Sequence, residues 1–146
     1  MDTEDRWAIT ETLSSVGHVF DEGRLDEIDT VFTSDVVYDM SAVGMPVIHG
    51  IEAAREVARQ LGAHGPISHH VSNVVVLDRG GVDSGADSGA EDGDEVAVDS
   101  KGLMLMADRT VTAVVHHDVL RREAGGWRVA RRLVVPPGSG QQRQED

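Results

Sequence analysis

The chain has 146 residues, which is enough for one domain with its own hydrophobic core and too few for two. Its 26 acidic residues outnumber its 13 basic ones, and the net charge of −13 argues against a nucleic-acid partner, because phosphate binding needs clustered Lys and Arg. The absence of cysteine excludes disulfides, thiolate catalysis and Cys-ligated zinc.

The sequence shows no segment typical of membrane insertion or export. Its apolar runs, such as residues 74–77, are far shorter than the roughly 20 residues that cross a bilayer. Three of the first five residues are acidic, whereas a signal peptide begins basic and continues apolar. We therefore expect a soluble, cytoplasmic protein without a membrane partner.

The first half of the chain predicts three helices. Apolar residues recur at helical spacing over residues 3–21, 25–32 and 51–61. In the first helix these positions are Ile9, Leu13, Val16 and Phe20. Two short strands, residues 36–41 and 47–49, are expected between the second helix and the third.

From residue 67 onward, long runs rich in β-branched residues predict four strands. They cover residues 67–78, 95–107, 110–122 and 127–135, separated by turn-forming residues. This order indicates an α+β fold, a cone-shaped α+β barrel in which three N-terminal helices pack on a curved, mainly antiparallel sheet. Such a cone has one deep mouth, where a small ligand would bind.

Two segments are too polar to belong to the core. Residues 79–94 carry five acids and no apolar side chain larger than valine, and this composition predicts a flexible acidic hairpin loop. Its repeated Asp-Ser-Gly-Ala lacks the alternating acids and distal Glu of an EF-hand, which argues against calcium. Residues 138–146 are expected to form a disordered tail, which leaves residues 1–137 as a single domain.

Several segments, taken in order, resemble the SnoaL-like branch of the nuclear transport factor 2-like superfamily. They are residues 20–26, 31–39, 49–50, 69–74, 116–122 and 126–129. The resemblance covers residues 3–136 and implies an α+β cone, frequently dimeric through its open sheet, with a pocket for small hydrophobic molecules. Its enzymes include dehydratases, polyketide cyclases, isomerases and epoxide hydrolases, and other members only bind or scaffold, so the fold alone does not decide the function.

Four residues are candidates for catalysis. The resemblance places Asp21 and His70 where scytalone dehydratase carries a catalytic aspartate and histidine, and a histidine held by a carboxylate is suited to proton transfer near neutral pH. His69 and His70 must point to opposite faces of their strand. His116, at the position of a pocket asparagine, and Tyr38 are candidate donors to a substrate oxygen. The structural alternatives are a solvated helix-end acid, a surface histidine pair and a packing tyrosine.

The candidate substrate-binding residues are mostly apolar. They are Trp7, Phe20, Met40, Leu61, Met104, Met106 and Asp118. The resemblance also places the two water-holding tyrosines of scytalone dehydratase at Phe20 and Met40, and its second catalytic histidine near Met106. Because none of the three is kept, the activity of that particular dehydratase is not expected.

We therefore predict a cofactor-independent acid–base enzyme, a lyase or isomerase of the dehydratase or cyclase type. Its substrate would be a small hydrophobic, oxygenated metabolite of polyketide-like secondary metabolism. No metal site is expected, because no two histidines have the spacing that places two ligands on one face of an element. The expected partners are this small molecule and a second copy of the chain. The alternatives are a non-catalytic small-molecule-binding protein and a dimeric accessory subunit.

Overall fold

The computed structural model describes residues 1–78 and 95–138. The acidic loop predicted over residues 79–94 and the tail after residue 138 lie outside the described residues. Both remain predictions.

Three helices pack on one face of a six-stranded mixed sheet, which confirms the predicted α+β fold. The helices are α1 (Thr3–Asp21), a 3-10 helix (Leu25–Thr30) and α2 (Ile51–Leu61), and two single 3-10 turns cover Ser41–Val43 and Gly62–His64. The strands are β1 (Phe32–Asp39), β2 (Val47–His49), β3 (Pro66–Val76), β4 (Glu95–Met106), β5 (Val111–Glu123) and β6 (Gly126–Val135).

The strand order is β2-β1-β6-β5-β4-β3, and the sheet does not close on itself. Neighbouring strands are antiparallel except for β1 and β6, which are parallel. The strand predicted over residues 36–41 begins four residues earlier, at Phe32, because the start of β1 pairs with Val129 of β6. The predicted second helix therefore ends at Thr30 instead of including Phe32.

Helix α1 lies against the concave face of the sheet with its apolar side buried. Asp2 caps the helix by accepting a hydrogen bond from the backbone N–H of Asp5 at 2.8 Å. Its buried apolar residues are Ile9, Leu13, Val16 and Val19. A Cβ at Gly17 would lie 2.9 Å from the carbonyl oxygen of His69, so glycine is what allows α1 to approach β3 this closely.

The N-terminal turn of α1 is attached to the far end of the sheet through Asp5. Its carboxylate accepts hydrogen bonds from both terminal nitrogens of Arg122, at 2.8 and 2.9 Å, and from Nε1 of Trp127 at 3.1 Å. These hydrogen bonds with Arg122 and Trp127 hold the pKa of Asp5 below its ordinary value. The N-terminal end of α1 is thereby fixed relative to the sheet.

Among the described residues, no helix combines the length and the apolar character that crossing a membrane requires.

Candidate functional site

A cavity of about 950 Å³ lies between the helices and the concave face of the sheet. This volume is at the upper end of the range of small-molecule sites, roughly 300–1,000 Å³. Its apolar wall includes Leu13, Val16, Phe20, Met40, Val57, Leu61, Met104 and Met106, and its polar wall includes Asp21, Tyr38, His69, His116 and Arg132. A ligand in this cavity would meet a mainly apolar surface with a few convergent polar groups.

Asp21 and His69 form a hydrogen-bonded pair at the cavity wall. Oδ1 of Asp21 lies 2.5 Å from Nδ1 of His69, and Oδ2 accepts a hydrogen bond from the backbone N–H of His69 at 2.9 Å. The side chains are 20% and 29% exposed, respectively, so both remain accessible from the cavity. The Phe20 ring lies 5.9 Å from the imidazole, centroid to centroid, and limits where the ring can move.

The predicted pairing of Asp21 with His70 is wrong, because Asp21 forms its hydrogen bonds with the neighbouring His69. His69 is opposite Met104, a cavity residue, whereas His70 is opposite the half-exposed Leu103. Side chains alternate along a strand, so the His70 ring lies on the outer face of the sheet even though atoms of this residue border the cavity. Its Nε2 is 2.8 Å from Oγ of Ser68.

His116 is buried at the cavity wall, on the same face of β5 as Asp118, as strand alternation predicts. Burial in the first place, and the charge of Arg132 in the second, lower its pKa from 6.5 to about 2. Its ring lies over Gly102 of β4, where a Cβ would be 2.9 Å from Cε1. Its Nδ1 is buried and has no hydrogen-bond partner among the described residues. The imidazole is therefore a neutral group at this site.

A buried ion pair lies beside His116. Nε and Nη2 of Arg132 donate to the two carboxylate oxygens of Asp118, each at 2.9 Å. The side chains are 4% and 0% exposed. Burial lowers the pKa of Arg132, but the charge and hydrogen bonds of Asp118 outweigh burial and raise the pKa above its ordinary value. The Tyr38 ring lies 5.9 Å from the guanidinium carbon.

The structure brings most of the predicted substrate-binding residues to the cavity. Those that line it are Phe20, Met40, Leu61, Met104 and Met106. Asp118 does not, because it lies behind Arg132 with its carboxylate fully buried.

Trp7 also does not belong to the cavity wall, and its placement there is wrong. Its side chain is 73% exposed. At about 100° per residue, Trp7 lies roughly 200° around α1 from the buried Ile9, so it faces away from the sheet.

Sequence reasoning missed His69 and Arg132 as site residues. Arg132 has a detectable signal, because it alternates with Ala130 and Val134, two small apolar residues that are also buried. Two neighbouring strand arginines do not reach Asp118: Arg121 pairs with Asp35, and Arg131 lies on the outer face.

No three His, Asp or Glu side chains within residues 1–78 and 95–138 lie close enough to hold a metal ion.

Comparison with known proteins agrees with this architecture. A family described as a SnoaL-like domain matches residues 1–133. No curated protein matches the chain.

Solved structures show the same fold at low sequence identity. An NTF2-like protein with a cystatin-like fold from Novosphingobium aromaticivorans is 20% identical, with a TM-score of 0.70 over 94% of this chain and 85% of that one. ActVI-ORFA from Streptomyces coelicolor is 19% identical, with a TM-score of 0.67 over 91% and 97%. Aln2 from another Streptomyces strain is 18% identical, with a TM-score of 0.68 over 93% of each chain. At these identities the likeness concerns the fold alone.

Proposed function

Since this chain belongs to the SnoaL-like domain family, we propose that it is a cofactor-independent acid–base enzyme acting on a small hydrophobic, oxygenated molecule. The observation that carries the proposal is the Asp21–His69 pair at the wall of a largely apolar cavity of about 950 Å³. A dehydratase, cyclase or isomerase reaction on a polyketide-like metabolite is the reaction class that such a site serves.

His69 is the proton-transfer group in this proposal. Its Nδ1–H donates to the carboxylate of Asp21, which leaves the lone pair of Nε2 on the opposite side of the ring. Nε2 removes a proton from a carbon next to a carbonyl group of the substrate. Asp21 stabilises the imidazolium that forms. The imidazolium exchanges its proton with water and returns a proton in a later step.

His116 is the donor that stabilises the substrate oxygen as it gains negative charge. Its Nδ1 has no acceptor among the described residues, and a buried N–H without an acceptor is rarer than an unpaired lone pair. The ring proton therefore resides on Nε2, which makes Nε2 a donor. Because the pKa of about 2 keeps the ring neutral, His116 does not compete with His69 for the proton.

The experiment is hydrogen–deuterium exchange at the α-carbon of 2-tetralone, a small aromatic ketone, followed by NMR in heavy water. The comparison is between the wild type and the variants His69→Gln and His70→Gln. His70 is a matched control, because it is the adjacent histidine on the outer face. We expect the wild type and His70→Gln to accelerate exchange equally. In His69→Gln the exchange rate should be lower by a hundredfold or more, which is the range of general-base contributions.

The alternative, a non-catalytic small-molecule-binding protein, has a different signature. Saturation-transfer NMR would show that 2-tetralone occupies the cavity, while exchange in the wild type would be no faster than in His69→Gln. That combination would overturn the enzyme proposal.

The homodimer remains part of the proposal. The outer face of the sheet exposes apolar side chains, including Leu103 at 47% and Val111 at 65%. A second copy covering this face would bury them. Light scattering on a size-exclusion column measures the mass, and a monomer at micromolar concentration would contradict this expectation.

A further inference from the structure

The cavity wall includes a positively charged side chain, that of Arg132, which the acid–base chemistry of His69 does not use. Arg132 lines the cavity, yet its side chain is only 4% exposed. A buried charge is costly unless it is paired. Among the described residues the ion-pair partner of Arg132 is Asp118, which does not line the cavity.

The pairing leaves part of the guanidinium available. A guanidinium has five N–H donors, and Asp118 accepts from Nε and from one hydrogen of Nη2. Three donors therefore remain with respect to the described residues, one on Nη2 and two on Nη1. The Tyr38 ring lies 5.9 Å from the guanidinium carbon.

The surroundings of these remaining N–H groups favour the binding of a planar anion. Tyr38 and Arg132 are paired across β1 and β6, and both line the cavity next to the neutral His116. Because Tyr38 carries a hydroxyl group, it can donate to an anion bound beside Arg132. The carboxylate nearest to Arg132, that of Asp118, is held by two hydrogen bonds and cannot swing into the cavity.

We propose that Arg132, oriented by Asp118 and assisted by Tyr38, binds a planar oxyanion of the ligand, so that the substrate is a hydrophobic molecule that enters as a carboxylate or an ionised enol. This inference deepens the proposed function, since it concerns the same cavity and names its substrate class. Bidentate hydrogen bonding by arginine suits such a group in geometry as well as in charge.

Calorimetric titration with two nearly isosteric probes tests the oxyanion subsite. Naphthalene-2-carboxylate carries the anion, and naphthalene-2-carboxamide is its neutral counterpart. We expect the wild type to bind the carboxylate at least tenfold more tightly at 150 mM and at 500 mM NaCl, because a buried pair is screened little by salt. Equal dissociation constants for the two probes would overturn the proposal.

The variants locate the preference. The double change Arg132→Gln with Asp118→Asn replaces the ion pair by a neutral pair, and we expect it to abolish the preference while binding of the carboxamide is retained. Arg131→Gln removes the adjacent arginine on the outer face and should keep the tenfold ratio. A preference that persists in the double variant would exclude Arg132 as its source.

Two further variants keep the test independent of folding and of catalysis. Tyr38→Phe removes one hydroxyl group and should reduce the ratio of the two dissociation constants several-fold. This variant provides a test if the double variant fails to fold. An unchanged ratio would contradict the role of Tyr38 in the subsite. His69→Gln should keep the full ratio, because the anion lies on Arg132. In the wild type, a normal carboxylate preference without α-proton exchange would refute the enzyme proposal and leave the anion subsite standing.

Discussion

Nδ1 of His69 lies 2.5 Å from Oδ1 of Asp21, although 48 residues separate the two in the chain. The second oxygen, Oδ2, accepts the backbone N–H of the same histidine at 2.9 Å. Because a backbone N–H can only donate, it fixes one carboxylate oxygen and leaves the other for the ring. The strand that carries His69 therefore also orients its partner.

Replacement of Asp21 by Asn should move the ring proton of His69 from Nδ1 to Nε2, the nitrogen that must stay unprotonated to act as a base. The backbone N–H of His69 requires the amide oxygen, so the NH2 group faces Nδ1 and forces the proton onto Nε2. We expect exchange of 2-tetralone to fall about a hundredfold or more, and 15N spectra of the imidazoles to show the proton leaving Nδ1.

The control for this change is Asp99→Asn. Asp99 makes a similar contact, 2.7 Å from Nδ1 of His117, with both side chains on the outer face and nearly half exposed. Exchange should be unaffected. A proton that stays on Nδ1 of His69 in Asp21→Asn would refute the argument.

A methyl group at Gly17 should separate α1 from β3. The added Cβ would meet a backbone oxygen at 2.9 Å and the Cβ of His69 at 3.3 Å, and neither can rotate away. We expect Gly17→Ala to lower the free energy of unfolding by about 1–3 kcal/mol, the usual cost of overpacking, and to slow exchange by disturbing the Asp21–His69 distance. Urea unfolding measures the first effect, with the exposed Glu11→Ala as the control. A more stable Gly17→Ala protein would contradict the close approach.

His116 should make the stability depend on pH in a defined window. The unfolded chain takes up a proton near pH 6.5, whereas the folded chain does so only near pH 2. Between these values the unfolded state binds more protons, so the free energy of unfolding falls as the pH falls, by at most about 1.4 kcal/mol per unit. In His116→Gln this contribution is absent. Between pH 6.5 and 4.5 the free energy of unfolding should fall by about 2 kcal/mol more in the wild type than in the variant. Urea unfolding measures both values. An equal pH dependence in the two proteins would refute the burial of a neutral imidazole.

Removing one partner of the Arg132–Asp118 pair should cost more than removing both. Arg132→Gln leaves the Asp118 carboxylate buried and unpaired, and we expect a loss of about 3–5 kcal/mol. The double variant with Asp118→Asn should recover a large part of this loss, which a double-mutant cycle measures. Arg131→Gln, on the outer face, should change the stability by less than about 0.5 kcal/mol. Additive effects of the two single changes would contradict the pairing.

The extent to which the fold is predictable differs between its parts. Helix α1 runs over residues 3–21 as predicted, because its apolar spacing, its Asp2 cap and the following Gly23 are all local signals. The start of β1 was missed, since Phe32 becomes a strand residue only through parallel pairing with β6. There the N–H of Val129 donates to the carbonyl oxygen of Val31 at 2.8 Å. Because almost 100 residues separate the two, the local sequence pattern around Phe32 does not predict this contact.

The site is less predictable than the fold for the same reason. Strand alternation predicts that only one of His69 and His70 faces inward, but not which. That choice depends on the register of β3 with β4, where His69 is opposite Met104. Similarly, alternation could have placed Arg132 among buried residues, but its partner Asp118 follows from the pairing of β5 with β6.

The sequence by itself determined the elements, the α+β architecture, the acidic character and some of the polar residues near the cavity, namely Asp21, Tyr38 and His116. These follow from hydrophobic periodicity, turn residues and composition, which act over a few neighbouring positions. Only the tertiary structure decided that Asp21 meets His69, that His116 is buried and neutral, and that Arg132 is held by Asp118. Those relations depend on strand register and on the approach of α1 at Gly17, where a shift of one residue exchanges the faces of a strand.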